Sequence, residues 1–435
     1  MREKFLTAFF NRKIEIYMSD KVSVNWTVRY TLLNVAYFAA FCTVHAYAAV
    51  FLYANGFNNT EVGVLLALAN IVSAVLQPVI AGVIDKGGFL TNRRFILLSV
   101  MVILCGSLIL MFVPGKKAVI FLVYALIYMI QFAYQPVMTA LCFEYRKAGC
   151  NIFYGLARGL GSASFAVTSM FIGGIVERNG ISILLWTNIA TMVISALIAF
   201  TFIKPAKCGM ADPDAPGAKP SRDASDTSGA ASASAADRPK AHNLAGFVRT
   251  YPAFVLFLVG VVCFFFAHNM INDFMIQIIR NLGGGETQLG YANFLQAILE
   301  LPVMALIAIV LKKISSSKLL LISGVAFLVK ILILIFAKSM PVMYLSQSFQ
   351  LFAYAVFIPA GAYYVSTTMD EYDQVKGQAF ITSAITIGGV FSNLISGVIL
   401  DHSNITTMLV TGSAVCAAGV IIAFYAMLKL PHRRA

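Results

Sequence analysis

Long apolar runs alternate with short polar connections along this chain. A window of about 19 residues finds stretches able to cross roughly 30 Å of hydrocarbon at about 1.5 Å per residue. The pattern predicts twelve helices, over residues 27–54, 61–84, 95–114, 118–145, 151–176, 180–203, 252–279, 287–311, 319–337, 341–369, 377–400 and 403–428. Pro78, Pro136, Pro302 and Pro359 fall inside these runs. They do not argue against helices, because packed neighbours in a membrane bundle re-satisfy freed backbone groups. The expected fold class is therefore an all-α membrane protein.

The pattern stops once. Residues 211–243, "ADPDAPGAKPSRDASDTSGAASASAADRPKAHN", have almost no large apolar side chains and are rich in Pro, Ala, Ser, Gly and Asp. Such a composition cannot bury a core and reads as a disordered linker. The expected organisation is an N-terminal arm (1–26), a six-helix half (27–203), a linker (204–251), a second six-helix half (252–428) and a tail (429–435).

Composition agrees, with 59 % hydrophobic and 12 % charged residues. The net charge of +13 would suit a nucleic-acid partner, so the placement of the 32 Lys and Arg residues matters. Twenty-four lie in the arm, the linker, the tail and the loops on their side of the membrane. Five lie opposite (Lys116, Lys117, Arg178, Arg280, Lys338), and Arg29, Arg158 and Lys330 remain within or at the edge of helices. The positive-inside rule then puts both termini in the cytoplasm of a multi-pass protein of the cell membrane. Topology accounts for the basic excess, and no nucleic acid is expected. The arm's Phe9 and Phe10 are too short an apolar group for a signal-peptide core. Six of the seven Cys fall in or at the edge of helices, and no CxxC or Cys/His cluster occurs. They read as small packing residues, with no metal and no cofactor expected.

A charge near the bilayer centre is costly, so it marks a functional candidate. Arg158 lies 11 residues past Lys147, Glu300 lies 12 before Lys312, and Lys330 lies 12 past Lys318. At about 1.5 Å per residue, each is near the midplane. Glu300 and Lys330 sit at equal depth on consecutive antiparallel helices, so an ion pair is geometrically allowed. One reading is plain neutralisation. The other makes Glu300 a proton carrier, because burial favours its neutral form and a nearby cation its ionised form. Arg158, with its five-donor fork, suits hydroxyls, carboxylates or phosphates; a structural or snorkelling role is the alternative. Asp273, in "HNMINDF", stands toward the outer side with His268, Asn269 and Asn272, either lining a vestibule or ending a solvated helix. His45, Gln77, Gln135, Gln296, Gln347, Gln378 and Asn393 are further polar positions on expected inner faces, as ligands or as interhelical glue. Tyr134, Tyr291, Phe165 and Tyr354 could stack on a ring. Gly155 and Gly159 have GxxxG spacing, which predicts close helix contact, and "NLGGGET" reads as a flexible outer loop.

A weak repeat marks helix ends. "AGVID" ends the second helix at Asp85, "GGIVE" the fifth at Glu177 and "GVILD" the eleventh at Asp401, with a small residue four positions earlier (Ala81, Gly173, Gly397). The eighth helix lacks the acid. Twelve helices in two halves with "AGVIDKGGFLTNRR" resemble the major facilitator superfamily, whose loop after the second helix acts as a cytoplasmic gate. Asp85, Lys86, Gly88, Arg93 and Arg94 match it, although Ala81 replaces a Gly and "FLTN" is inserted. "VLLALANIVSAVLQPVIAGVIDK", "FYGLARGLGSASF", "LGYANFLQAILELPVM" and "QSFQLFAYAVFIPAGAYY" are similar to the second, fifth, eighth and tenth helices of its lactose permease-like branch of sugar and nucleoside proton symporters. The resemblance implies that Arg158 binds substrate and pairs with a fourth-helix glutamate. That glutamate's place falls near Ala140, with Glu144 one turn beyond. The branch's proton-relay positions on the tenth helix fall near Gln347, Gln350 and Ala353, so Glu300, Lys330 or Asp273 must take that role.

The resulting expectation is a monomeric secondary transporter, not an enzyme, moving an oligosaccharide or nucleoside with a proton. Its substrate site would comprise Arg158, Glu300, Tyr134, Gln135, His45, Gln296, Gln347 and Asn393. Drug or metabolite efflux is the rival within the class, and a non-transporting receptor of the same fold is the rival outside it. A polytopic membrane protease would need HExxH, GxGD or an intramembrane aspartyl pair, which the sequence lacks.

Overall fold

The computed structural model describes residues 23–113, 115–203 and 243–429. Most of the arm, the linker up to residue 242 and the tail beyond Lys429 lie outside the described residues, as does Cys208. The linker's final residues form a short helix, Leu244–Thr250, capped by Asn243, whose side chain accepts from the Gly246 N–H at 2.8 Å. The expected linker therefore ends in structure, because Phe247 buries its ring against Phe380 and Tyr251, both with centroids 5.0 Å away.

Twelve helical elements follow the expected spans. The first half holds α1 (Val24–Phe41, continued by Cys42–Ala46 and Ala48–Ala54), α2 (Asn59–Asp85), α3 (Asn92–Phe112), α4 (Lys117–Lys147), α5 (Tyr154–Asn179) and α6 (Ser182–Phe200). The second holds α7 (Pro252–Asp273, then Met275–Asn281), α8 (Glu286–Leu311), α9 (Ser316–Ile335), α10 (Met340–Ser348, Phe349–Leu351, Tyr354–Thr368), α11 (Gln374–His402) and α12 (Ile405–Lys429). Ten are long and apolar enough to cross a membrane, and α1, bent by 52°, makes an eleventh. α8 completes the set as a helix of 26 residues. No strand occurs among the described residues.

Local chemistry sets several helix ends. Asn58 and Glu61 form a reciprocal capping box at the start of α2, with bonds of 2.7 and 2.8 Å. Gly180, at φ +84°, ends α5 in a conformation L side chains rarely adopt. Peripheral helices turn apolar side chains outward, such as Trp186, Ile194 and Leu197 on α6. In lipid that is the solvated face.

The two halves pack alike. In the first, α1 lies on α5 and α6, α3 on α4 and α6, and α2 on α4; in the second, α7 lies on α11 and α12, α9 on α10 and α12, and α8 on α10. Between halves, α5 runs along α8 and α2 along α11. Both contacts are tight on the Lys/Arg-poor side. A Cβ on Gly173 would collide with the Glu286 carbonyl, on Gly290 with that of Ser169, on Gly63 with that of Asn393, and on Gly397 with that of Asn59. Gly159 meets no atom within 4 Å and Gly155 only its neighbour Phe153, so the expected GxxxG contact is not formed. Both glycines sit toward the Lys/Arg-rich end of α5.

Candidate functional site

Three helices break, and the breaks position polar side chains. α10 leaves its α-helical path at Phe349–Leu351. The backbone around it is held by hydroxyls: Ser323 Oγ donates to the Ala353 carbonyl at 2.7 Å, and Ser346 Oγ to the Lys330 carbonyl at 2.7 Å. This turns Gln350 inward. α1 passes through a π-helical turn, Cys42–Ala46, before its bend at Tyr47, and α7 bends at Phe274, directly after Asp273. Irregular backbone at membrane depth is tolerated where it is packed in protein or lines a cavity.

Glu300 and Lys330 come together, but not through the direct ion pair that their equal depth allowed. Lys330 is 0 % exposed; its Nζ donates to Gln350 Oε1 at 2.9 Å and to Gln296 Oε1 at 3.4 Å. Gln350 Nε2 in turn donates to Glu300 Oε1 at 3.0 Å. One amide thus spans the two charges, accepting from the ammonium and donating to the carboxylate, and both bonds are charge-assisted. Sequence reasoning reached Gln350 only as a place near one of the branch's proton-relay positions, not as a bridge between the two charges.

Arg158 faces this set from the other half. Among the described residues its partners include no carboxylate of α4, so the pairing that the resemblance implies is not made. Its NH1 donates to Ser162 Oγ at 2.8 Å, one turn away, and its guanidinium carbon lies 4.2 Å from the Phe38 ring centroid. Both Glu300 and Tyr354 are near enough to feel its charge. The Phe38 platform supplies a cation–π contact that no local sequence signal announced.

Other expected ligands are placed differently. Tyr134 is 0 % exposed and shares a 2.6 Å hydrogen bond with Ser195 of α6. It is a packing residue inside the first half, because its side of α4 turns toward α6 and not toward α8. His45 stacks on Phe41 (3.8 Å between centroids) and lies against Tyr128 and Phe132, its ring nitrogens buried without partners. Gln347 is buried with its amide atoms also unpartnered, whereas Gln135 is half-buried. Tyr354 stacks on His268 with centroids 5.3 Å apart, and His268 shares a 2.9 Å hydrogen bond with Asn272. His268 therefore belongs to the packed interior of the second half, not to an outer vestibule.

Two of the three acids that marked the repeat hold the opposite half. Asp401, ending α11, accepts from the Asn59 N–H (3.1 Å), Asn59 Nδ2 (2.8 Å) and the Thr60 N–H (2.8 Å) at the start of α2. Glu177, ending α5, accepts from the Thr287 N–H (3.0 Å) and Thr287 Oγ1 (2.6 Å) at the start of α8. Each carboxylate caps a helix of the opposite half, where peptide dipoles and unpaired N–H groups favour an anion. The "NLGGGET" loop is correspondingly packed, with no room for a Cβ at Gly285 beside the Glu177 carboxylate. Asp85, the third acid, and Lys86 are exposed. Arg93 donates to the Ala199 and Phe200 carbonyls at 3.1 and 2.9 Å, closing the end of α6, and Arg94 donates to the Phe89 carbonyl at 2.7 Å. The bonds of Arg93 and Arg94 stay within the first half.

Known proteins were compared with this architecture. The model of the family described as MFS_1 like family matches residues 27–410. No curated protein matches. Among solved structures, nucleoside transporter NupG superposes with a TM-score of 0.70 at 13 % identity, over 94 % of this chain and 100 % of its own. An auto-inhibited POT family peptide transporter gives 0.69 at 10 % identity, over 94 % and 98 %. A bacterial homologue of the human lysosomal transporter Spinster, inward-facing and unoccupied, gives 0.64 at 11 %, over 92 % and 96 %. At these identities the likeness concerns the fold.

Proposed function

The chain belongs to the MFS_1 like family, and on that premise we propose that it is a proton-coupled symporter of a nucleoside or oligosaccharide in the cell membrane. The observation that carries this reading is Arg158 of one half opposite the Glu300–Gln350–Lys330 bridge of the other. A hydroxyl-rich solute lying between them would accept from the guanidinium and donate to Glu300, so both halves would hold one ligand. Alternating access follows from the contacts between halves. With the termini cytoplasmic, the Asp401 and Glu177 latches would join the halves on the outer side, while Gly155 and Gly159, free of contact with the opposite half, would lie toward the inner side. The gate around Asp85, Lys86, Arg93 and Arg94 would close the inner side in the opposite state.

Glu300 carries the proton in this scheme, with Lys330 fixing the bridge. Uptake of labelled nucleosides and sugars into proteoliposomes under an imposed proton gradient tests it. Wild type should accumulate at least one of these solutes, and Glu300→Gln should abolish gradient-driven accumulation while retaining exchange of solute across the membrane. Undiminished gradient-driven uptake by Glu300→Gln would overturn the proton assignment. Export of an apolar dye without uptake of any sugar or nucleoside would overturn the substrate class.

A further inference from the structure

Charge inside the bundle does not balance. Every carboxylate of the described first half stands in the first or last turn of a helix: Glu61 and Asp85 in α2, Glu144 in α4 and Glu177 in α5. Arg158 reaches inward instead, since its guanidinium lies over Phe38, well inside α1. No carboxylate among the described residues forms an ion pair with it. In the second half, Glu300 and Lys330 are already joined through Gln350 by bonds of 3.0 and 2.9 Å. Asp273 ends the long segment of α7, whereas Arg158 lies in the second turn of α5, so the two sit toward opposite ends of the bundle. One carboxylate thus answers the one ammonium, and the guanidinium is left over.

We propose that the transported solute is a monoanion whose charge is a carboxylate, and that Arg158 binds this carboxylate side-on. The guanidinium is set for it. Its NH1 donates to Ser162 Oγ at 2.8 Å, and the Phe38 ring, 4.2 Å from the guanidinium carbon, covers one face. Nε and NH2 make no hydrogen bond among the described residues, and no atom of Arg158 is among the side-chain atoms sealed without a partner. That free edge presents two parallel donors, which match the two oxygens of a carboxylate. Where water reaches the guanidinium, water can solvate it. When the halves close over a solute that water is shed, and a buried charge without a partner is strongly destabilising. A neutral solute leaves Arg158 in that condition, whereas a carboxylate supplies the missing charge and leaves Glu300 to accept a hydroxyl. Lys330 is 0 % exposed and held by Gln350 and Gln296, so it adds no second fork. One fork matches a single carboxylate better than a dianionic phosphate.

The proposal rests on the transporter reading and names the charge of its solute, so the experiment separates the two. The full chain in detergent is titrated at constant ionic strength with matched pairs: glucuronate and glucose, cellobiouronate and cellobiose, orotidine and uridine. Thermal unfolding is followed, with glucose 6-phosphate as a further probe. Wild type should show a saturable rise in Tm with at least one acid, at an apparent affinity at least tenfold tighter than for its neutral partner. Arg158→Gln should bring the acid down to the affinity of the neutral partner. Arg158→Lys, which keeps the charge and loses the fork, should retain part of the preference, and it provides the readout should Arg158→Gln not fold. Neutral partners that bind as tightly as the acids, or an undiminished preference in Arg158→Gln, would overturn the carboxylate and leave the symporter reading standing. Glucose 6-phosphate binding more tightly than every carboxylate would overturn it in favour of a phosphate ester. Binding of no sugar, nucleoside or acid would overturn both.

Discussion

On the proposed topology, with both termini cytoplasmic, removing the Asp401 and Glu177 latches together should open the outer side. The perturbation is Asp401→Asn with Glu177→Gln, which keeps shape and removes charge. Asp401 accepts three hydrogen bonds from the first turn of α2, and Glu177 accepts two from Thr287. A carboxylate capping a helix is worth about 1 kcal/mol. Both acids are exposed, so screening argues against a larger value. They sit on different helix pairs, so their effects should add to about 2 kcal/mol. Only the difference between states counts, and in the outer-open state both acids would be hydrated. Two kcal/mol changes the ratio of states about 30-fold, which turns a 1:99 mixture into about 1:3. Spin labels at Arg178, in the last turn of α5, and Lys338, after α9, exposed positions at the same end of opposite halves, read this as growth of a longer-distance component. Each single variant should give a smaller shift. An unchanged distance distribution in the double variant would refute the latch argument.

Two further changes probe the inner opening and the charge bridge. Gly159→Trp meets open space in this conformation, so its Tm should stay within about 2 °C of wild type. Transport should fall at least tenfold, because the inner side cannot close over an indole; wild-type uptake would contradict that geometry. Lys330→Met leaves the buried Gln296 and Gln350 oxygens without their donor and should destabilise the protein by about 3 kcal/mol. In denaturant titrations the double variant with Glu300→Gln should recover part of that loss, and strict additivity would deny the coupling through Gln350.

The helices were legible because lipid imposes one rule, an apolar run of set length, which ten helices and the bent α1 obey. Depth along a helix was legible too, which is why Glu300 and Lys330 meet through Gln350 with Arg158 within electrostatic reach of Glu300. Rotation about the helix axis was not. Tyr134 and Gln135 are adjacent, yet the first is sealed against Ser195 while the second keeps partial exposure. Helix breaks were hidden as well, because in membrane helices the freed backbone is satisfied by side chains remote in sequence, as Ser323 does for Ala353. The acid repeat was visible as a spelling. Its meaning required knowing that helix ends of opposite halves meet.

The halves pack alike but are not chemically alike, and that asymmetry bears on coupling. α1 and α7 break with nearly the same backbone angles, φ −110° and ψ 16° at Tyr47 against φ −109° and ψ 19° at Phe274. Before the first break stands His45, in an aromatic cage; before the second stands Asp273. The first half offers one cation to the cavity, Arg158, whereas Glu300, Gln350 and Lys330 all belong to the second. Rocking of rigid halves leaves the Glu300–Gln350–Lys330 bridge intact and changes chiefly the approach of Arg158. Two unit charges about 4 Å apart interact by about 4 kcal/mol at an effective dielectric constant near 20, and by far less once water separates them. On the proposed mechanism, then, Lys330 is the constant background to Glu300 and Arg158 is the variable. A solute seated between the halves would set how near Arg158 comes, which is how binding on one side of the cavity could govern the proton on the other.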